Sequence, residues 1–107
     1  MSDNSPLISN AFQAFAHEAP DHAKAWGEMV QAMAKASALE PKTRDLCYLA
    51  MLAAIGLESG IPFHVKSAVA SGASRQEIIS AIVVGLLAAG NRVTQALPTA
   101  VATLGAG

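Results

Sequence analysis

Apolar positions recur at helical spacing through almost the whole chain. Leu7, Ala11, Phe12 and Phe15 share one side of a first helix. Ser5-Pro6 suits its start, with serine as cap and proline at the first position, and it runs to about Glu18. Pro20-Asp21 restarts the chain. A second helix covers about residues 21 to 38, with Trp26, Met29, Val30 and Met33 on its apolar face. Gly27 inside it costs about 1 kcal/mol relative to alanine, which points to a close helix crossing. Pro41 opens a third helix, with Thr43 and Asp45 expected in its first turn. From Leu46 to Leu57 almost every residue is apolar. A helix apolar all round is buried on all sides, so this one is expected at the centre of the subunit or of an assembly.

Gly56 and Gly60 bracket the turn that follows. A short fourth helix spans about Pro62 to Ser71, and Gly72 is its left-handed stop. Ser74-Arg75-Gln76-Glu77 has the form of a capping box and starts a fifth helix that reaches about Ala89. Gly90-Asn91 breaks it. A sixth helix spans about Arg92 to Leu104, kinked or divided at Pro98. No strand pattern, repeat or low-complexity segment interrupts the series. The expected class is all-α, five to six helices in a single domain over residues 1–107.

Composition adds an oligomer to this picture. The chain has 107 residues, 52% hydrophobic and 14% charged, with a mean hydropathy of +0.37. A monomer of this size buries only about 60–65% of the surface its unfolded chain exposes. It carries more apolar residues than such a core hides, so an obligate homo-oligomer is expected. A net charge of −1 and a pI near 6.2, with no basic stripe, argue against nucleic acid or an anionic membrane as partner. The first ten residues lack the features of a signal peptide. The longest apolar run, Ile78 to Gly90, is shorter than the ~20 residues of a membrane span. The expectation is a soluble cytoplasmic protein. A single cysteine allows no intrachain disulfide.

Candidate chemistry gathers in residues 41 to 74. His64 follows Pro62 at a helix start, where the dipole favours the neutral, proton-accepting imidazole. Asp45 is a carboxylate suited to orienting or charging that imidazole, and Glu58 in the intervening turn is a second. Tyr48, three residues after Asp45, shares its helix face and is placed to line a site. Arg44 and Lys42 suit an anionic substrate. Each has a blander reading: a packed histidine, a solvated turn glutamate, a packed aromatic, surface cations. Cys47 falls about 200° around the helix from Asp45 between apolar neighbours, which favours a buried, inert thiol. His17 and His22 flank Asp21, but their spacing matches no usual zinc pattern, and a surface role is preferred. No metal and no cofactor are expected. An antiparallel hairpin of helices three and four is expected to leave Asp45 far from His64, with Glu58 as fallback partner.

Lys42, Arg44, Asp45 and Leu46, then His64 and Ala68, then Gly72, Ala73, Ser74, Glu77 and Ile78 follow the order K-x-R-[DE]-L, H-x-x-x-A, G-A-S-x-x-E-I. This layout resembles the carboxymuconolactone decarboxylase and AhpD-like alkylhydroperoxidase superfamily over roughly residues 25 to 95. The resemblance implies an AhpD-like helical fold, trimers or hexamers, and either thiol peroxidase chemistry or decarboxylation or isomerisation of a small lactone or organic acid. The peroxidase branch carries C-x-x-C just before the histidine. Leu57 and Gly60 stand at those positions here, which disfavours the peroxidase. The different-class alternative is a binding or assembly module that keeps the fold without catalysis.

Overall fold

The computed structural model describes residues 7–105. They are helical throughout, and no strand occurs among them. The chain divides after Glu40 into two compact units.

The first unit is a helical hairpin, α1 (Asn10–Glu18) and α2 (Pro20–Ala36). Ser9 caps α1, its Oγ accepting from the Phe12 N–H at 3.1 Å. Helix α1 therefore starts later than the spacing suggested and leaves Leu7 outside it; the Ser5-Pro6 start lies outside the described residues. The Phe12 ring packs edge-on against Phe15 and Trp26. Neither helix has a buried residue. The predicted apolar face of α2 is exposed, Met33 most of all at 65%. Gly27 marks no close crossing, because a Cβ there would meet nothing within 4 Å.

The second unit holds α3 (Pro41–Ile55), a 3-10 turn (Glu58–Gly60), α4 (Ile61–Ala70), α5 (Arg75–Val83), α6 (Leu86–Ala89), a 3-10 segment (Gly90–Ala96) and α7 (Leu97–Leu104). Helix α3 is its centre, packed on α5, α4 and the longer 3-10 segment, while α7 packs on α4. Leu49, Leu52 and Ala53 of α3 meet Val65 of α4, Ile78 and Ile82 of α5, all buried. Each large side chain so buried contributes about 1.5–3 kcal/mol of transfer free energy. The rest of α3 is not covered. Tyr48, Met51 and Ile55 are exposed, so the expectation of burial on all sides does not hold within one chain.

Helices α3 and α4 close in the same way. After α3, Leu57 N–H donates to the Leu52 carbonyl and Gly56 N–H to Ala53; after α4, Ala73 N–H donates to Ala68 and Gly72 N–H to Val69. This is the Schellman pattern, which needs a left-handed residue. Gly56 (φ 77) and Gly72 (φ 97) supply it. Arg92 reinforces the first stop by donating from Nη2 to the Ile55 carbonyl at 3.0 Å. The capping box of α5 forms as the sequence predicted, between Ser74 and Glu77. Glu77 also pairs with Lys42 at 3.0 Å, tying the starts of α5 and α3 together.

The last third departs from two simple helices. Helix α5 stops at Val83, and Pro98 does not kink a helix but sits in the first turn of α7. The stretch Arg75–Leu104 is long and apolar enough to cross a membrane by length and composition alone, its most apolar 18-residue window having a mean hydropathy of 1.4. That exceeds the run counted from sequence. It is not one continuous α-helix, because the backbone turns at Val84 and Gly85 and tightens to 3-10 geometry over Gly90–Ala96.

Candidate functional site

The two longest helices of the second unit run antiparallel, and their facing residues pair in register. Gly60 lies against Leu52, His64 against Tyr48, and Ser67 and Ser71 against Asp45. The helical period explains the match. Residues 45, 48 and 52 fall on one face of α3, and residues 64 and 67 on one face of α4, continued by its flanking cap residues 60 and 71. The rings of His64 and Tyr48 stack with centroids 4.3 Å apart and planes 28° apart. Phe63 approaches the same imidazole edge-on at 5.3 Å.

Asp45 is held from α4. Its Oδ2 accepts from Ser71 Oγ at 2.8 Å and from Ser67 Oγ at 3.2 Å. It is the fifth residue of α3, outside the first turn where it was expected, so serine hydroxyls and not helix-start N–H groups bind it. The expectation that a hairpin would separate Asp45 from His64 also fails. Helix α4 runs back along α3 until His64 stands beside Tyr48, about one helical turn, ~5 Å, along the axis from Asp45. Asp45 lies far from the turn end of α3, but the return of α4 along α3 offsets that distance.

His64 is half-buried, and burial lowers its pKa from the ordinary 6.5, with the Asp45 charge pulling it back up. The neutral imidazole expected from the helix position is therefore favoured, but desolvation is the main cause. No hydrogen bond joins His64 to Asp45 among the described residues. Glu58 is exposed on the 3-10 turn and is not among the charges that act on His64, so it is no fallback partner. Arg44 is half-buried and engaged in an interaction of its own, and Lys42 is taken by Glu77. The start of α4 is a poor anion cradle. Ile61 N–H is spent on the Glu58 carbonyl, and Pro62 has none.

Ser67 and Ser71 were missed by sequence reasoning. The signal was present: counted from His64 they fall at i+3 and i+7, on its own helix face. Cys47 is a correction. It is exposed, because Leu49, Leu52 and Ala53 take the buried face of α3. It lines a mainly apolar groove of about 450 Å³ between α3 and α5, with Leu46, Ala50, Ser80 and Val84. His64 is not part of that groove. His17 pairs with Glu18 at 3.1 Å in the open, and no group of three or more His, Cys, Asp or Glu among the described residues is arranged to hold a metal ion.

Neither the curated proteins nor the solved structures compared with the chain give a match. Residues 20–102 match the profile of the Carboxymuconolactone decarboxylase family. That match takes in α2, nearly all of the second unit and every residue of the Asp45–Tyr48–His64 face, and leaves out α1. With a single cysteine, and with Leu57 and Gly60 ahead of His64, this member has no Cys pair. The chain belongs to the carboxymuconolactone decarboxylase family.

Proposed function

We propose that the protein is a lyase or isomerase that moves a proton at carbon in a small lactone or related organic acid, with His64 as the group that carries the proton. The observation that supports this most is the stacked, half-buried imidazole on the α3–α4 face with the Asp45 charge one turn away. A neutral imidazole takes a proton from a carbon acid, and the electron pair passes into the conjugated carbonyl. The imidazolium then returns the proton to the carbon that ends up saturated. In a decarboxylation the C–C bond to the carboxylate breaks first, CO₂ leaves and the bonding pair passes into the conjugated carbonyl; His64, having taken a proton from water, then delivers it to the carbon left behind and returns to the neutral ring. Asp45 offsets the positive charge that the ring carries in between. Tyr48 and Arg44 are the candidate substrate contacts from α3.

The exposed apolar side chains of the second unit support a homo-oligomer, a trimer or hexamer, around this site. Tyr48 and Phe63, which flank His64, are themselves more than a third exposed and are suited to further cover. A second reading, a binding or assembly module without catalysis, is favoured by one observation: the described groove lies between α3 and α5, apart from His64.

A thermal-shift screen of small lactones and keto acids tests the first reading. Wild type is expected to gain stability with at least one of them, and His64→Ala is expected to lose that response while keeping its oligomeric state. Equal responses of the two proteins to every compound would remove the case for His64.

A further inference from the structure

Two serines of α4 donate to one oxygen of Asp45, and they come from the same helix face as His64. Ser71 is fixed unusually well for a helix end. It is the residue before Gly72, its own N–H bonds to the carbonyls of Ser67 and Ala68, and the Schellman closure locks the next two residues. Ser67 sits one turn earlier, between Ser71 and His64. All three hydroxyl and carboxylate groups are part-buried. A carboxylate bound this way points along α4 toward its C-terminal end, and His64 lies in the other direction. Both imidazole nitrogens then stay out of its reach.

We propose that Ser67 and Ser71 are positioning residues that hold the Asp45 carboxylate away from the His64 ring, so that Asp45 acts on the imidazole through its charge and leaves both ring nitrogens to the substrate. The inference rests on the reading of His64 as the proton-carrying group. Without the serines, a half-buried carboxylate would have no side-chain donor on the facing side of α4 except the imidazole itself, because Lys66 lies about 200° around the helix from His64 and is exposed. It would turn toward His64, take one ring nitrogen as hydrogen-bond donor, and strengthen the protonated form. A serine pair that merely satisfies a buried carboxylate predicts lost stability and no change at His64. Other charged and titratable groups come from the elements around this face. Helix α7 has none; α3 brings Lys42, Arg44, Cys47 and Tyr48 besides Asp45, the 3-10 turn brings Glu58, α5 brings Arg75 and Glu77, the longer 3-10 segment brings Arg92, and α4 itself brings Lys66. Of these, Glu77 is committed to Lys42 and Arg75 to the Gly105 carbonyl.

The test is the titration of His64, followed by NMR through its imidazole resonances in the full-length protein and assigned against His64→Gln. In Ser67→Ala/Ser71→Ala the midpoint is expected to rise by about one pH unit, the order that an opposite charge at hydrogen-bond range brings. Ser71→Ala alone, which removes the shorter bond, is expected to give part of the rise, and Ser71→Thr, which keeps the hydroxyl, none. Asp45→Asn is expected to lower the midpoint, and adding the serine changes to it to do nothing more. Alanine favours the helix at both positions, and the single variants serve if the double one fails to fold. A midpoint in the serine variants equal to wild type, or lower, overturns the proposal. This readout needs no turnover, so it separates failure of the positioning role from failure of the proposed chemistry, which the ligand screen on His64→Ala reports.

Discussion

His64 stacks on Tyr48 across the α3–α4 contact, with ring centroids 4.3 Å apart. The phenol ring covers one face of the imidazole, and desolvation by burial is the main reason the pKa is low. In Tyr48→Ala the His64 midpoint is therefore expected to rise toward 6.5. Tyr48→Phe keeps the ring and should keep the low value. An NMR titration that finds Tyr48→Ala unchanged would assign the desolvation elsewhere.

The lowered His64 pKa has a consequence for stability. As pH falls through 6.5 the unfolded chain takes up a proton at this position, whereas the folded chain does so only at lower pH. Unfolding is then favoured by acid, and the stability present above 6.5 is lost as pH falls through the folded value. Glu77 adds to the loss further down. The Ser74 N–H and Lys42 lower its pKa from 4.5, so its contribution is present above that value and disappears below it. Urea unfolding between about pH 7.5 and 5 should show wild type losing more stability than His64→Gln. Parallel curves would contradict a perturbed His64.

The turn after α3 combines two constraints. Gly56 has φ 77, where an L side chain costs about 1–2 kcal/mol. A Cβ there would also lie 2.5 Å from Arg92 Nη2 and displace the guanidinium that caps Ile55. Gly56→Ala is expected to cost about 2 kcal/mol, and Arg92→Ala about 0.5–1 kcal/mol. Together they should cost less than the sum, because the second change removes what the first collides with. Additive losses in denaturant unfolding would separate the two effects.

Much of the fold was legible in the sequence, and for local reasons. The capping box at Ser74, the left-handed stop at Gly72 and the turn that begins at Gly56 depend on residues within one turn of each other. Where one helix ended against another was less legible. Helix α5 carries apolar residues to Ala89, yet it breaks at Val84, where the chain tightens and Val93 can pack close to Gly85. The site was legible in its types and not in its register. His64, Asp45 and Tyr48 were singled out, but their meeting depends on how far α4 returns along α3, and Glu58 falls outside it. Cys47 was misjudged because apolar neighbours in sequence do not say which face of α3 is covered.

The uncovered faces bear on assembly. Leu87 is 101% exposed and Val84 68%, and only 17% of the most apolar window in Arg75–Leu104 is buried within one chain. So much exposed apolar surface calls for a partner. Sedimentation without detergent is expected to give a trimer or hexamer, with well over ~2,000 Å² buried as in obligate interfaces. A folded monomer, or a chain that stays dispersed only in detergent, would contradict this.

The role proposed for His64 is to carry a proton at carbon, and deuterium exchange measures that step directly. Small unsaturated lactone carboxylates incubated with the protein in D₂O can be followed by proton NMR for deuterium at carbon or loss of CO₂. Wild type is expected to give incorporation or CO₂ release on at least one such compound, reduced about 100-fold or more in His64→Gln. Exchange or CO₂ release as fast in His64→Gln as in wild type, or none with wild type on any compound, would contradict it.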